Sequence, residues 1–209
     1  MTEETRPPAF IDHLDHLAEA IPDAPALDFR GHTRSWAGLR ERARRHAAGQ
    51  RAAGLAPGDR LGYLGKNHPA CLEAVYGSRY AGTVTAIMNW RLAPEEIAYA
   101  ANDAGVKLLF VSADLAPALE EVRAKIPTLE TVVVVDDAGP RGYETWLNGH
   151  APAERRGAPD PGAGWIQLYT SGTTGFPKGA VLTYEGISAH SEALQACFAF
   201  TPESVSMVA

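Results

Sequence analysis

Residues 169–179 read Tyr-Thr-Ser-Gly-Thr-Thr-Gly-Phe-Pro-Lys-Gly. The stretch holds the hydroxyls of Thr170, Ser171, Thr173 and Thr174, the glycines Gly172, Gly175 and Gly179, and the ammonium of Lys178. Glycine lets a backbone reach positive φ and approach a ligand closely. Successive N–H groups in such a turn form a concave site for anions. Hydroxyls add donors that rotate to meet oxygen acceptors, and lysine adds a mobile point charge. The combination suits a polyphosphate. A hydrogen bond to a charged group contributes roughly 1.5–3 kcal/mol, so a few of them suffice to hold a triphosphate tail. The plain alternative is a Ser/Thr/Gly-rich surface turn, but the order of the residues and the closing Pro-Lys-Gly argue against it.

The flanks place the loop. Trp165 to Tyr169 is a short apolar run with strand character, and Ala180-Val181-Leu182 reads as a second short strand. The expectation is a hairpin with a glycine-rich tip. The familiar nucleotide P-loop needs Gly-x-x-x-x-Gly-Lys-Ser/Thr leading into a helix. Counted from Gly172, Pro177 stands where glycine is required and Gly179 where the magnesium-binding hydroxyl would be. A kinase or GTPase reading fails at both places.

Residues 169–179 resemble the phosphate-binding signature of the AMP-forming adenylating enzymes, which include acyl-CoA synthetases, peptide-synthetase adenylation domains and firefly-type luciferases. The match runs through Thr170-Ser171-Gly172-Thr173-Thr174-Gly175 and Pro177-Lys178-Gly179. Ala86 to Ile97, with Asn89-Trp90-Arg91-Leu92-Ala93-Pro94-Glu95-Glu96 inside it, resembles a segment of the fatty-acyl and related CoA ligases. The similarity extends over nearly the whole chain, from about residue 10. It implies that Thr170, Ser171, Gly172, Thr173, Thr174, Gly175 and Lys178 bind ATP through the β- and γ-phosphates. It implies that Lys178 neutralises leaving-group charge and that Thr170 stands at Mg2+. It further implies activation of a carboxylic acid, of the fatty class by the residue 89–96 stretch, to an acyl-adenylate and then transfer to coenzyme A. An aryl-acid or amino-acid adenylation domain that loads a carrier protein is the second reading, and a non-catalytic nucleotide-binding fragment the third.

Bulk properties are compatible with this. The chain has 209 residues, 45% hydrophobic and 21% charged, as in an ordinary α/β domain. With 19 basic and 25 acidic side chains the net charge is −6, which argues against nucleic acid as the main partner. Cys71 and Cys197 provide no disulfide framework or metal pattern, and each reads as a small buried hydrophobe in a cytoplasmic protein. The acidic, polar first residues lack signal-peptide character, and no apolar run approaches the ~20 residues of a spanning helix.

Working back from the loop, residues 148–164 form a Pro/Gly/Ala-rich connector. Before it, strands are expected at 59–64, 83–88, 107–111 and 131–135, alternating with helices at 69–80, from Pro94 to near Gly105, and 115–126. Such alternation predicts βαβ units, a parallel sheet and helices on both faces. Nearer the start, periodicity predicts helices over 10–21 and 36–53, the latter capped by Ser35, around a hairpin in 25–36 that breaks at Arg30-Gly31-His32. His13 and His16 are expected to be solvent-exposed rather than metal ligands. The arginines of residues 40–51 read as a solvated face. After the loop, a helix is expected over 184–200 and a strand beginning at Val205–Ala209, with an unpaired edge that invites self-association or a complementary chain. Because the resemblance places further site elements downstream, the 209 residues are expected to be an N-terminal part of an adenylation domain, inactive alone.

Overall fold

A computed structural model describes residues 12–157, 160–170, 177–201 and 204–207. Alternation of strand and helix is realised. Helix α1 (His13–Ala20) precedes a hairpin, β1 (Pro25–Phe29) and β2 (His32–Ser35), and then α2 (Trp36–Ala52). There follow β3 (Arg60–Leu64), α3 (Pro69–Ala81), β4 (Val84–Met88), α4 (Pro94–Ala104), β5 (Leu108–Val111), α5 (Ala116–Val122) and β6 (Thr131–Val134). A short α6 (Tyr143–Asn148) leads through the connector to β7 (Gly164–Thr170), β8 (Lys178–Thr183) and α7 (Tyr184–Phe198).

The main sheet has the order β6-β5-β3-β4-β7-β8, parallel throughout except for β8, which runs antiparallel to β7. Its central strands β3, β4 and β5 are largely apolar because both their faces are covered. On one face Met88, Leu109, Val111 and Tyr169 pack against Ile97, Ala101 and Leu119 of α4 and α5. On the other, Leu61, Phe110 and Val133 pack against Ala70, Ala74, Tyr143 and Leu147 of α3 and α6. Helix α2 forms a further layer, its Leu39, Ala43 and Ala47 meeting Tyr80 of α3 and Leu14 of α1. Fully burying one such leucine or phenylalanine contributes about 1.5–3 kcal/mol.

Local signals explain the element ends. Ser35 Oγ accepts from Gly38 N at 3.2 Å, as its capping role predicts. Pro94 opens α4, and the Glu96 carboxylate accepts from Ala93 N at 2.9 Å. Gly82 closes α3 at φ 78°, a conformation that a side chain disfavours.

The structure corrects four expectations. Residues 204–207 form no strand: a strand exists only through a hydrogen-bonded neighbour, and here Ser204 N instead closes a turn onto Thr201 O. The outer strand on that side, among the described residues, is β8, whose Val181 and Leu182 are exposed. The arginines of α2 are not a solvated face. Arg44 and Arg51 donate to the carbonyls of Ala153 and Glu154, and Arg45 to that of His150, so they staple the connector to the body. Residues 115–126 do not form one helix; α5 gives way to a 3-10 turn at Arg123–Lys125. Finally, Cys197 is exposed, whereas Cys71 is half-buried with its thiol pushed up to about 12 by burial.

One buried histidine makes the fold acid-sensitive. His46 is fully enclosed, packed against the Phe110 and Trp146 rings at 4.7 and 5.0 Å. The Gln50 side-chain oxygen accepts from Thr83, so its nitrogen donates to His46 Nδ1 at 2.8 Å and the ring proton belongs on Nε2. Burial, more than Arg42 and His150, lowers this imidazole to about 3. The unfolded chain therefore takes up a proton near pH 6.5 that the folded chain refuses, and stability falls as pH drops from there. At roughly 1.4 kcal/mol per pH unit, the loss reaches about 3 kcal/mol at pH 4. Urea denaturation at pH 7 and pH 4 should show this fall, with a shallower fall in His46→Leu. An equal fall in both proteins would remove His46 as its source.

Candidate functional site

All parallel strands of the sheet point their carboxyl ends the same way, and in open α/β sheets ligands bind there. Four loops and one hairpin gather at that end: residues 65–68 after β3, 89–93 after β4, 112–115 after β5, 135–142 after β6, and the base of the 169–179 stretch after β7. Because β8 is antiparallel, its first residue returns to the same end. Thr170 and Lys178 are register partners, and both are exposed. Opposed residues of an antiparallel pair share a face, so a hydroxyl and an ammonium stand side by side where the loop begins and ends. Ser171, Gly172, Thr173, Thr174 and Gly175 lie outside the described residues.

Beneath this pair the hairpin is held by a polar chain. Arg60 Nε donates to Gln167 Oε1 at 3.2 Å, Gln167 Nε2 to the Tyr169 hydroxyl at 3.0 Å, and that hydroxyl to Asp103 Oδ2 at 2.6 Å. Burial, assisted by Asp103, raises the Tyr169 phenol above its ordinary value, so it stays a donor. Gly179, opposite Tyr169, leaves room for this chain: a Cβ there would lie 2.3 Å from Gln167 Nε2 and 2.9 Å from Tyr169 Cζ. Gly179→Ala should therefore destabilise the chain by about 1–3 kcal/mol, as overpacking does, measured as a shift in urea midpoint. Adding Gln167→Ala should recover part of that loss; no recovery would mean the clash lies elsewhere.

At the other end of β7 the ladder slips by one residue between Gly164 and Ile166. Trp165 falls at this bulge, donates its indole N–H to Val75 O at 2.7 Å, and stacks on Tyr184 with ring centres 5.2 Å apart. The bulge thus pins β7 to α3 and α7, so the hairpin projects from a fixed strand.

The neighbouring loops add charge. Trp90 lies under two cations, the Arg91 guanidinium at 4.1 Å and Lys66 Nζ at 5.0 Å from its ring centre. Lys66 Nζ also reaches Asp114 Oδ2 at 3.2 Å, and Ser112 Oγ donates to Asp114 Oδ1 at 2.6 Å. Trp90 and Arg91 lie in a stretch that the sequence singles out. Lys66 and Asp114 do not, since each is a lone charge in a short loop, 48 residues from the other.

Among the described residues no group of three or more His, Cys, Asp or Glu side chains could hold a metal ion. What the site offers a divalent cation is the Thr170 hydroxyl, which suits an ion carried by phosphate oxygens and water rather than a protein cage. His16 is exposed and His13 partly buried on α1. Among the described residues no helix is long and apolar enough to cross a membrane.

Residues 14–209 match the family model described as AMP-binding enzyme. The chain is 37% identical over 180 residues to the fatty acid–[acyl-carrier-protein] ligase ScoC of Streptomyces coeruleorubidus, covering 85% of this chain and 33% of that protein. It is 39% identical over 163 residues to the long-chain-fatty-acid–CoA ligase of Thermus thermophilus, covering 77% of this chain and 30% of that one. Among solved structures, the inhibitor-bound N-terminal domain of FACL13 from Mycobacterium tuberculosis superimposes with a TM-score of 0.74 at 29% identity, covering 82% of this chain and 43% of that one. The chain belongs to the AMP-binding enzyme family. It spans about a third of the length of these curated relatives.

Proposed function

We propose that residues 1–209 are the N-terminal part of the adenylation domain of an AMP-forming ligase, the rest of the large domain and a small C-terminal domain belonging to the longer polypeptide. Carrying this reading is the Thr170–Lys178 pair, set at the carboxyl end of a parallel sheet at the mouth of the hydroxyl- and glycine-rich loop. Thr170, Ser171, Gly172, Thr173, Thr174 and Gly175 would hold the β- and γ-phosphates of ATP. Lys178 would neutralise charge as pyrophosphate forms, and Thr170 would stand beside Mg2+. The metal, when bound, draws charge from the phosphate oxygens.

The reaction needs no protein nucleophile. A carboxylate oxygen of the substrate attacks the α-phosphorus, the bond from that phosphorus to the bridging oxygen breaks, and pyrophosphate departs. The thiol of coenzyme A then attacks the acyl carbonyl, and AMP leaves. Positioning and electrostatic stabilisation supply the acceleration.

A fatty acid is the substrate class suggested by the two fatty-acid ligases above. Their names differ in the acceptor, a carrier protein in one and CoA in the other, so loading of a carrier protein is the second reading. A cytoplasmic location fits two cysteines that form no disulfide. Val181 and Leu182 on β8 and the mutually stacked Phe198 and Phe200 are exposed apolar side chains that the remainder of the ligase or a second copy would cover.

The test is ATP–pyrophosphate exchange by the full-length ligase against fatty, aryl and amino acids, with CoA or carrier protein then offered as acceptor. Exchange is expected with fatty acids and none from the 209-residue chain alone. Exchange with amino acids only would overturn the substrate class, and acyl transfer only to carrier protein would establish the second reading.

A further inference from the structure

Among the described residues the parallel ladder between β7 and β4 ends at Leu168, opposite Ile87. The ladder between β7 and β8 runs on, through Tyr169–Gly179 to Thr170–Lys178. The pair that carries the proposed site therefore stands on the projecting end of a two-stranded ribbon. Such a ribbon is marginal by itself, so the direction in which Thr170 and Lys178 point has to be set from outside it.

The Tyr169 side chain is placed to set it. Tyr169 adjoins Thr170 along β7 and faces Gly179, the neighbour of Lys178 on β8. Its ring is 6% exposed and belongs to the core shared with α4. Burial of the ring holds the ribbon against the body; the phenol gives it a direction. The donors beneath it all run one way. A guanidinium only donates, so Arg60 turns the Gln167 oxygen towards itself and leaves the amide nitrogen for Tyr169. Having accepted that bond, the Tyr169 oxygen gives its own proton to Asp103. The chain thus starts at a cation on β3 and ends at a carboxylate on α4, 66 residues from Tyr169 in sequence. Aligned hydrogen bonds polarise one another, and the closing bond, at 2.6 Å, has the length of a charge-assisted one. Asp103 itself is exposed, in the last turn of α4. A surface carboxylate is ordinarily dispensable; this one anchors the ribbon that presents the site.

We propose that Asp103 and Tyr169 are positioning residues for the phosphate loop: their hydrogen bond aims the end of the ribbon so that the Thr170 hydroxyl and the Lys178 ammonium face one polyphosphate. Neither touches the nucleotide; both act through the pair above them. The inference rests on the reading of that pair as the site of the β- and γ-phosphates.

ATP–pyrophosphate exchange by the full-length protein tests it. Lys178→Ala first decides whether the pair handles phosphate. Tyr169→Phe, which keeps the ring, and Asp103→Ala, which opens no core, should each lower the maximal exchange rate about tenfold or more, since small displacements of a reacting group are costly. The half-saturating concentration of the carboxylic acid should not change. Combined, the two substitutions should cost no more than either alone, and in a Lys178→Ala background each should cost less than in the parent, because groups that act through one another are not additive. Asp103→Asn, which keeps an oxygen for the phenol, should recover most of the rate, and the urea midpoint of Asp103→Ala should match that of the parent. If Lys178→Ala lowers exchange but neither Tyr169→Phe nor Asp103→Ala does, or if their losses add in full to that of Lys178→Ala, the positioning role is wrong while the phosphate loop stands. A loss that follows the urea midpoint and is not recovered by Asp103→Asn would make the bond structural only. If Lys178→Ala leaves exchange unaltered, the phosphate reading fails and this inference with it.

Discussion

Glu73→Leu should lower the unfolding free energy by about 3–5 kcal/mol, as removal of one partner from a buried ionic cluster does. Glu73 lies on α3 with no exposed surface. Its carboxylate accepts from Arg42 Nε at 2.8 Å and the Tyr143 hydroxyl at 2.7 Å, and it pairs with Arg34. Glu144 takes the other side of Arg42, at 2.9 and 2.5 Å. The cluster joins β2, α2, α3 and α6, so one carboxylate ties the hairpin and two helix layers to the sheet. Without it, the charges of Arg34 and Arg42 face an apolar side chain, and burial already holds Arg34 below its ordinary value. Because domains of this kind are stable by only about 5–15 kcal/mol, the variant should be close to unfolding at room temperature. Urea denaturation followed by far-ultraviolet circular dichroism measures the loss. Replacing Glu73, Arg34 and Arg42 together by apolar residues of similar volume should restore much of it. A single variant within about 0.5 kcal/mol of the parent would show that the cluster is solvated.

Lys178→Ala in the full-length ligase should reduce ATP–pyrophosphate exchange by about 10²–10³-fold, the range seen when one preorganised donor to a developing charge is lost. Lys178 is exposed and takes part in the hairpin through its backbone, so the fold should survive its truncation. Since the charge grows as pyrophosphate departs, the loss should appear in the maximal rate more than in the half-saturating ATP concentration. Thr170→Val, which keeps shape and removes the hydroxyl, should have a smaller effect that varies with magnesium concentration. A pure rise in the ATP requirement after Lys178→Ala would make the lysine a ground-state anchor only.

Much of this architecture was legible because strand and helix periods alternate cleanly between residues 57 and 135, and because caps such as Ser35 and Pro94 act through neighbours three or four residues away. Strand order was not legible. Nothing local in β5 says that it crosses back to lie beside β3 rather than β4. Helix α6 was missed because six residues are too few to display a period. The arginines of α2 were misread for a related reason: their partners, the carbonyls at 150–154, are about a hundred residues away. In the site, the 169–179 hairpin followed from two flanking strands, but the Thr170–Lys178 closure did not, because β7 and β8 each run further into the stretch than their apolar residues reach. The polar chain from Arg60 through Gln167 and Tyr169 to Asp103 did not, because its members look unrelated until β3, α4 and β7 are packed together.

On the proposed function, the stretch between β7 and β8 grips the polyphosphate of ATP. The most direct test is photolabelling of the full-length protein with an ATP analogue that carries an aryl azide on the γ-phosphate, in magnesium-containing buffer, followed by peptide mapping. The label should fall within residues 169–179 and disappear when excess ATP is added. Saturable, ATP-protected labelling confined to residues outside that stretch would contradict it.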